Sequence, residues 1–159
     1  MALDATARKA NVMDSLKKYF VDSLKTESGI EITFDKRLSD PPVTQGHTVN
    51  RWVTIGIGPI VPEALSSVFV EMFCCTRNDT EGFRLAQLRD AVFGYLTDTD
   101  MPDGMKRITF YRSVPPGGGD WVKIGAFVVQ DISESKDQEA PDGTKFVIIT
   151  CRLRFGSKV

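Results

Sequence analysis

The sequence is poor in the residues on which most enzymes and metal sites depend. Its 159 residues include one histidine, His47, and three cysteines. No Cys-x-x-Cys, His-x-x-x-His or calcium-loop spacing occurs, so no metal site is predicted. Histidine is the side chain most often recruited for acid–base chemistry, and a lone one in a loop is typical of a solvated surface. We therefore predict no catalytic residue, no cofactor and no metal.

Strong charge imbalance and long apolar runs are also missing. The formal net charge of −1 gives no global attraction to nucleic acid or to an anionic membrane. No window approaches the ~20 apolar residues of a membrane span. The start, Met1-Ala2-Leu3-Asp4, lacks the basic region and apolar run of a secretion signal. We expect a soluble protein made in the cytoplasm, with no membrane contact.

The cysteines, Cys74, Cys75 and Cys151, all fall within predicted strands. Neighbouring residues of a strand face opposite sides of a sheet, so Cys74 and Cys75 cannot clamp a metal together or pair easily in a disulfide. We expect all three to be small buried apolar residues.

The central unit of the chain is an apolar strand that runs into an amphipathic helix. Ser66–Cys75 is apolar on both faces, as in a central strand. After a polar turn, apolar residues recur at helical steps and predict a buried stripe of Phe83, Leu85, Leu88, Val92 and Tyr95 or Leu96. This helix should lie across the sheet.

An earlier helix has Val12, Met13, Leu16, Phe20 and Leu24 on one face, with Asp4 or Thr6 as its cap and Gly29 near its end. Five further segments have strand patterns: Ile30–Phe34, Arg51–Ile57, Arg107–Tyr111, Trp121–Ile132 and Lys145–Phe155. The last two should form a long hairpin. The sequence predicts one α+β domain over residues 1–159, with a mostly antiparallel or mixed sheet of about six strands and two main helices on one face.

Two glycine clusters do not fit phosphate-binding loops. Gly56-Ile57-Gly58 is followed by Pro59 instead of a helix, and Gly117-Gly118-Gly119 lacks the Lys-Ser/Thr of such a loop. A basic stripe is an alternative interpretation of Arg107, Tyr111 and Arg112 with Arg152, Arg154, Phe155 and Lys158, if their strands are neighbours. A solvated sheet face or a subunit contact explains Arg152 and Arg154 equally well. We expect no sequence-specific nucleic-acid binding.

The order of elements resembles the tail terminator (tail-completion) proteins of long-tailed bacteriophages. The resemblance covers nearly the whole chain and is a likeness of pattern and length, without a diagnostic motif. Its elements are a helix over Arg8–Leu24, the strands Ile30–Phe34 and Arg51–Ile57, the strand that leads into the helix Gly82–Leu96, and the hairpin that closes with Cys151–Phe155.

That resemblance implies a structural virion protein that is not an enzyme. Such proteins form a ring, typically a hexamer, on the head-proximal end of the tail tube, where they stop polymerisation and join tail to head. The implied partners are further copies of the chain, the tube protein and a head-completion protein, and the location is the virion after assembly in the host cytoplasm. Long loops on a rigid sheet often make contacts. Contact roles therefore go to loops 36–50, 113–120 and 133–144, through His47, Arg112, Pro116, Gly118, Trp121, Lys136 and Asp137. Arg152 and Arg154 are candidates for a ring interface or an exposed sheet face.

Two alternatives remain at the level of the sequence. One is a head–tail connector or minor tube component, which loss-of-function particles would distinguish from a terminator. The other is a small ligand-binding module or enzyme, which would require convergent polar groups in a pocket.

Overall fold

A computed structural model of the chain describes residues 9–35, 43–44, 47–48, 50–61, 65–114 and 120–157. Two α-helices lie on one face of a curled, mixed sheet, which is the predicted α+β class. The helices are α1 (Lys9–Phe20) and α2 (Phe83–Leu96). The strands are β1 (Glu31–Phe34), β2 (Val43–Thr44), β3 (His47–Thr48), β4 (Arg51–Val61), β5 (Ser66–Thr76), β6 (Arg107–Val114), β7 (Asp120–Glu134), β8 (Gln138–Glu139) and β9 (Lys145–Ser157).

Helix α1 buries most of the stripe that its spacing predicts, but Met13 is only half-buried, and Ser15 is buried instead. The helix continues as a π-helical segment, Val21–Glu27, and the two together bury Val12, Leu16, Phe20 and Leu24. Gly29 then takes a φ of 67°, a conformation that glycine adopts at little cost, and turns the chain into β1. The proposed caps Asp4 and Thr6 lie outside the described residues.

The main sheet has the strand order β1-β4-β5-β9-β7-β6, and β8 pairs with the start of β9. Only β1 and β4 run parallel among these pairs. Strand β5 lies between β4 and β9, so the prediction of a central strand is confirmed. The predicted long hairpin is also confirmed, since β7 and β9 are the longest strands and pair with each other.

One core fills the space between the sheet and both helices. Alternate residues of β5 and β9 point into it, from Val68 to Cys74 and from Val147 to Phe155, as period two requires. Helix α2 contributes Leu85, Leu88, Val92 and Leu96. The predicted helical stripe is therefore correct at four positions.

Phe83 is the exception, because 68% of it is exposed. It precedes Leu85 by two positions, which corresponds to about 200° around a helix and puts the two side chains on opposite sides. The prediction that Phe83 is buried was wrong for this reason.

Trp52 is fully buried although it lies on the face of the sheet away from the helices. It pairs with Cys75 across β4 and β5, and the Arg77 guanidinium lies 5.7 Å from its ring centroid. Val53, Ile55 and Ile57 share the face of β4 that meets the core, and the sequence pattern gave no sign that Trp52 on the opposite face would be enclosed.

Several predicted connections contain more strand than expected. The 36–50 segment includes the pair β2–β3, and β8 lies inside the 133–144 loop. Strand β4 continues beyond its predicted end at Ile57 to Val61, with a shift of register between Ile57 and Ile60. Strand β6 extends to Val114 and β7 begins at Asp120, so the loop between them is shorter than the predicted 113–120.

Helix α2 has an acidic cap supplied from the preceding turn. Its first residues follow Gly82, which has no capping side chain, and the Asp79 carboxylate instead accepts a 2.9 Å bond from the Leu85 N–H. The Thr76 hydroxyl also donates to Asp79, over 3.1 Å. Burial raises the pKa of Asp79, but these hydrogen bonds and one from the Arg84 N–H outweigh it and hold the pKa below its usual value.

Replacing Asp79 with alanine should lower the free energy of unfolding by about 1–2 kcal/mol at neutral pH. A depressed native pKa means that the carboxylate contributes fully above its unfolded pKa of about 3.9, and the contribution is lost as pH falls through the native pKa. The gap between wild type and Asp79→Ala should therefore close in acid. Urea unfolding from pH 7 down to pH 3 measures it. Asp79→Asn keeps the acceptor without the charge and is the control, and a gap that widens in acid would contradict this role.

Candidate functional site

Strands β6 and β7 continue beyond the end of β9 as a two-stranded ribbon. The last pair between β7 and β9 is Gly125 with Ser157, whereas β6 and β7 remain paired as far as Val114 with Asp120. Residues 111–114 and 120–124 are called the ribbon below. A register shift between Phe110 and Tyr111 marks its base, a place where bulges commonly bend a strand.

The ribbon presents two large apolar side chains to solvent. Trp121 is 37% exposed and Val122 is 43% exposed. The Trp121 ring meets Tyr111 edge-on at a centroid distance of 5.9 Å, and the Lys18 ammonium lies 5.6 Å from the indole centroid. Lys18 is itself fixed by Asp22 at 2.6 Å. Trp121 is therefore held in place on one side and open on the other.

Helix α1 closes the outer edge of β6 at the base of the ribbon. The Tyr111 N–H donates to Ser15 Oγ over 2.8 Å, and the Ser15 hydroxyl donates to the Tyr111 carbonyl over 3.1 Å. An edge strand with free N–H and C=O groups is a template for unwanted pairing. Ser15 satisfies both groups at this residue and attaches the ribbon to the helix.

A shallow pocket lies at the opposite end of the sheet, where α2 begins. Its volume is about 270 Å³, and its lining consists of Glu81, Gly82, Leu85, Asp137, Gln138, Glu139 and Lys145. The Lys145 ammonium is already bound to the Thr80 carbonyl at 2.7 Å. The exposed Phe83 follows Gly82 directly. We call these lining residues the acidic pocket.

The candidate contact residues fall into separate groups. Arg112 and Trp121 lie on the ribbon, whereas Lys136 and Asp137 are exposed at the opposite end beside the acidic pocket. His47 belongs to the short strand β3 instead of a loop. Pro116 and Gly118 lie outside the described residues. The sequence did not identify Phe83 and Glu81 as surface residues. Helical periodicity predicts which residues share a face of a helix, but it does not show at which residue that face begins to be buried.

Arg152 and Arg154 lie half-buried on the face of the sheet away from the helices. Arg152 pairs with Asp131 at 2.9 Å, and its guanidinium donates to Gln130. The Arg154 Nε atom is buried without a hydrogen-bond partner among the described residues. The strands that carry Arg112 and Arg154 are not neighbours, because β7 lies between β6 and β9. Phe155 points into the core, so the basic stripe considered from the sequence does not form. Lys158 is outside the described residues.

All three cysteines are free and buried, as expected. Burial raises the pKa of the Cys74 and Cys151 thiols to about 12 and also raises that of Cys75. Within the described residues, no cluster of three or more His, Cys, Asp or Glu could hold a metal ion. None of the helices in that part of the chain is long and apolar enough to span a membrane.

Comparisons with known proteins give a fold and no function. No family model matches the chain, and no curated protein matches it. Eleven chains of solved structures do match. One of them, whose name says nothing of its function, has a TM-score of 0.61 and 10% identity, over 96% of this chain and 98% of its own length. At that identity the likeness supports the shared fold alone.

Proposed function

We propose that this chain is a tail terminator, a structural protein that caps the head-proximal end of a bacteriophage tail tube. The observation that carries the proposal is the order of elements. A first helix, strands at Glu31–Phe34 and Arg51–Val61, a central strand leading into α2, and a closing hairpin follow one another as in the resemblance stated from sequence. The likeness is one of pattern and length.

The proposed mechanism is steric and depends on self-association. Copies of the chain, six in the typical ring of such proteins, would each repeat one head-to-tail interface until the ring closes. One face would meet the last ring of tube protein and stop polymerisation, and the other would meet a head-completion protein. DNA would pass through the ring without being read. In this proposal the protein is made in the host cytoplasm and ends in the virion, and its side chains make or break no bond.

The surface available for such contacts is spread over the ends of the sheet. Trp121 and Val122 expose apolar surface on the ribbon, and Phe83 exposes more at the start of α2. Aromatic anchors of this kind carry much of the energy at protein interfaces. Their separation suits a chain that contacts different neighbours at different ends.

Two measurements test the proposal. Light scattering at increasing protein concentration, with and without tube protein, should show a ring-sized assembly. Electron microscopy of particles that lack this protein should show heads without joined tails and tails of uncontrolled length. A chain that stays monomeric under all these conditions would exclude the ring. Normal, correctly sized and attached tails on particles without it would exclude the function.

A further inference from the structure

The ribbon and the acidic pocket lie at opposite ends of the longest strands. Lys145, in the pocket lining, begins β9, and Ser157 at the other end of β9 pairs with Gly125 beside the ribbon. Strand β9 has 13 residues, which corresponds to about 40 Å of extended chain. One copy cannot bring its own ribbon to its own pocket without unfolding the sheet.

The ribbon carries positive charge around its aromatic anchor. Lys123 pairs in register with Tyr111, so it shares a face of the ribbon with Trp121, whereas Arg112 pairs with Val122 and lies on the other face. Both are exposed, and neither forms an ion pair within the part of the chain that the structure describes. The nearest helical cation, Lys18, is neutralised by Asp22. Asp120 is the one acidic residue of the ribbon, so its two cations leave a net charge of +1 for a partner.

The acidic pocket has the opposite character. Glu81, Asp137 and Glu139 are exposed, and among the described residues none of the three has a cationic partner. Lys145 is the one cation in the lining, and the Thr80 carbonyl holds its ammonium. Gly82 and the apolar Leu85 complete the lining, and the exposed Phe83 follows Gly82 in the sequence. Lys136 is a neighbour in sequence but is not part of the lining.

We propose that the ribbon of one copy docks into the acidic pocket of the next copy, with Trp121 as the anchor over Gly82 and Leu85. Lys123, on the same face as Trp121, then faces Glu81, Asp137 and Glu139 of the neighbouring copy, and Arg112 adds positive charge from the other face of the ribbon. This contact rests on the proposed ring and names its interface. Charge complementarity between two surfaces of one chain selects a second copy as the occupant of the pocket. Because the two surfaces differ and lie far apart, the contact is head-to-tail and can repeat around a closed ring.

Trp121 suits the role of anchor because it is already ordered. Tyr111 and Lys18 hold one side of the indole, so little side-chain freedom is lost on docking. Centrally placed, ordered tryptophans are frequent hot spots of interfaces. The Trp121→Ala variant should weaken association at least about tenfold, as measured by sedimentation equilibrium.

Charge reversal provides the sharper test. A ribbon variant (Arg112→Glu with Lys123→Glu) and a pocket variant (Glu81→Lys with Glu139→Lys) should each fail to assemble, because like charges then meet at every contact. Mixed in equal amounts, the two variants should assemble, since each ribbon again faces a pocket of opposite charge. Light scattering of each variant and of the mixture measures this, and urea unfolding verifies that each variant is folded. Lys9→Glu with Lys25→Glu is the control, because it makes the same charge change at exposed sites on the first helical segment.

The outcomes separate this contact from the ring itself. A wild-type chain that never assembles, even with tube protein, overturns both the ring and the contact. A wild-type ring that tolerates the ribbon and pocket variants leaves the ring intact and overturns the contact. Variants that assemble normally but lose the tube protein show that the tube protein is the occupant, which also overturns it. A mixture that fails to restore assembly excludes the proposed pairing of charges.

Discussion

The Phe110→Ala variant is expected to lose about 3–5 kcal/mol of unfolding free energy. Phe110 is fully buried, and its ring meets Phe127 at 4.9 Å and Phe155 at 5.5 Å, both edge-on. Phe127 and Phe155 also lie against each other at 5.2 Å. The three rings join β6, β7 and β9, so truncation of one leaves a cavity that the strands around it cannot close. With total stability typically 5–15 kcal/mol, this is a large fraction.

Phe83→Ala is the matched control, because it removes the same ring from a site that is 68% exposed. Its effect should stay within about 0.5 kcal/mol. Urea unfolding of both variants, at a concentration where light scattering shows the same mass as wild type, compares them directly. Equal losses would mean that Phe83 is enclosed in solution or that the aromatic cluster is absent.

The Ser15→Ala variant is expected to lose about 2–4 kcal/mol. The substitution deletes one hydroxyl, yet both the N–H and the C=O of Tyr111 depend on it. Both hydrogen bonds are partly buried beneath the helix, and a buried group without a partner costs about 1–3 kcal/mol, so we expect each group to contribute near the lower end of that range. The loss should also loosen the ribbon, because Tyr111 lies at its base and supports Trp121.

Ser23→Ala provides the control within the same helical segment. Ser23 is also buried, but its hydroxyl donates to the Tyr19 carbonyl one turn earlier and supports no distant strand. Its loss should cost about 1 kcal/mol or less. Urea unfolding measures both variants, and hydrogen exchange of the Tyr111 amide should quicken only in Ser15→Ala. An unchanged Tyr111 amide in that variant would show that the serine does not close the edge.

Both residues connect stability to the proposed assembly. Phe110 pairs in register with Gly125 of β7, which pairs with Ser157 at the end of β9. Ser15 forms hydrogen bonds to Tyr111, the residue after Phe110. The ribbon therefore projects from the aromatic cluster of the core and from a helix that supports its edge. The position of Trp121 depends on the packing at the base of the ribbon. We therefore expect both the Phe110→Ala and the Ser15→Ala variant to assemble more weakly, even where the variant remains folded.

Local patterns predicted the elements well where one period dominates. Lys145–Phe155 was correctly predicted as a strand, whose alternate residues from Val147 to Phe155 meet the core, and the spacing of Leu85, Leu88, Val92 and Leu96 correctly predicted the buried stripe of α2. Along each of these elements, one face meets the core over its whole length and the other face meets a more polar environment. Under that condition, residue order alone specifies which side is buried.

The candidate site was only partly accessible from sequence. Arg112, Trp121 and Asp137 were singled out as contact residues, but nothing in their spacing showed that two belong to a ribbon and the third to a pocket at the other end. Glu81 and Phe83 were missed because their exposure depends on where α2 leaves the sheet. The enclosure of Trp52 likewise depends on surroundings that strand alternation does not describe.

The sequence by itself determined the fold class, most of both helix stripes, the burial of the cysteines and the long hairpin, because each follows from periodicity or side-chain polarity within one segment. The tertiary structure decided the order of strands, with β9 between β5 and β7, and the parallel pairing of β1 with β4. It also decided that Ser15 would close an edge 96 residues away along the chain. Pairing between distant segments is selected by the packing of the whole core, and no local pattern contains that information.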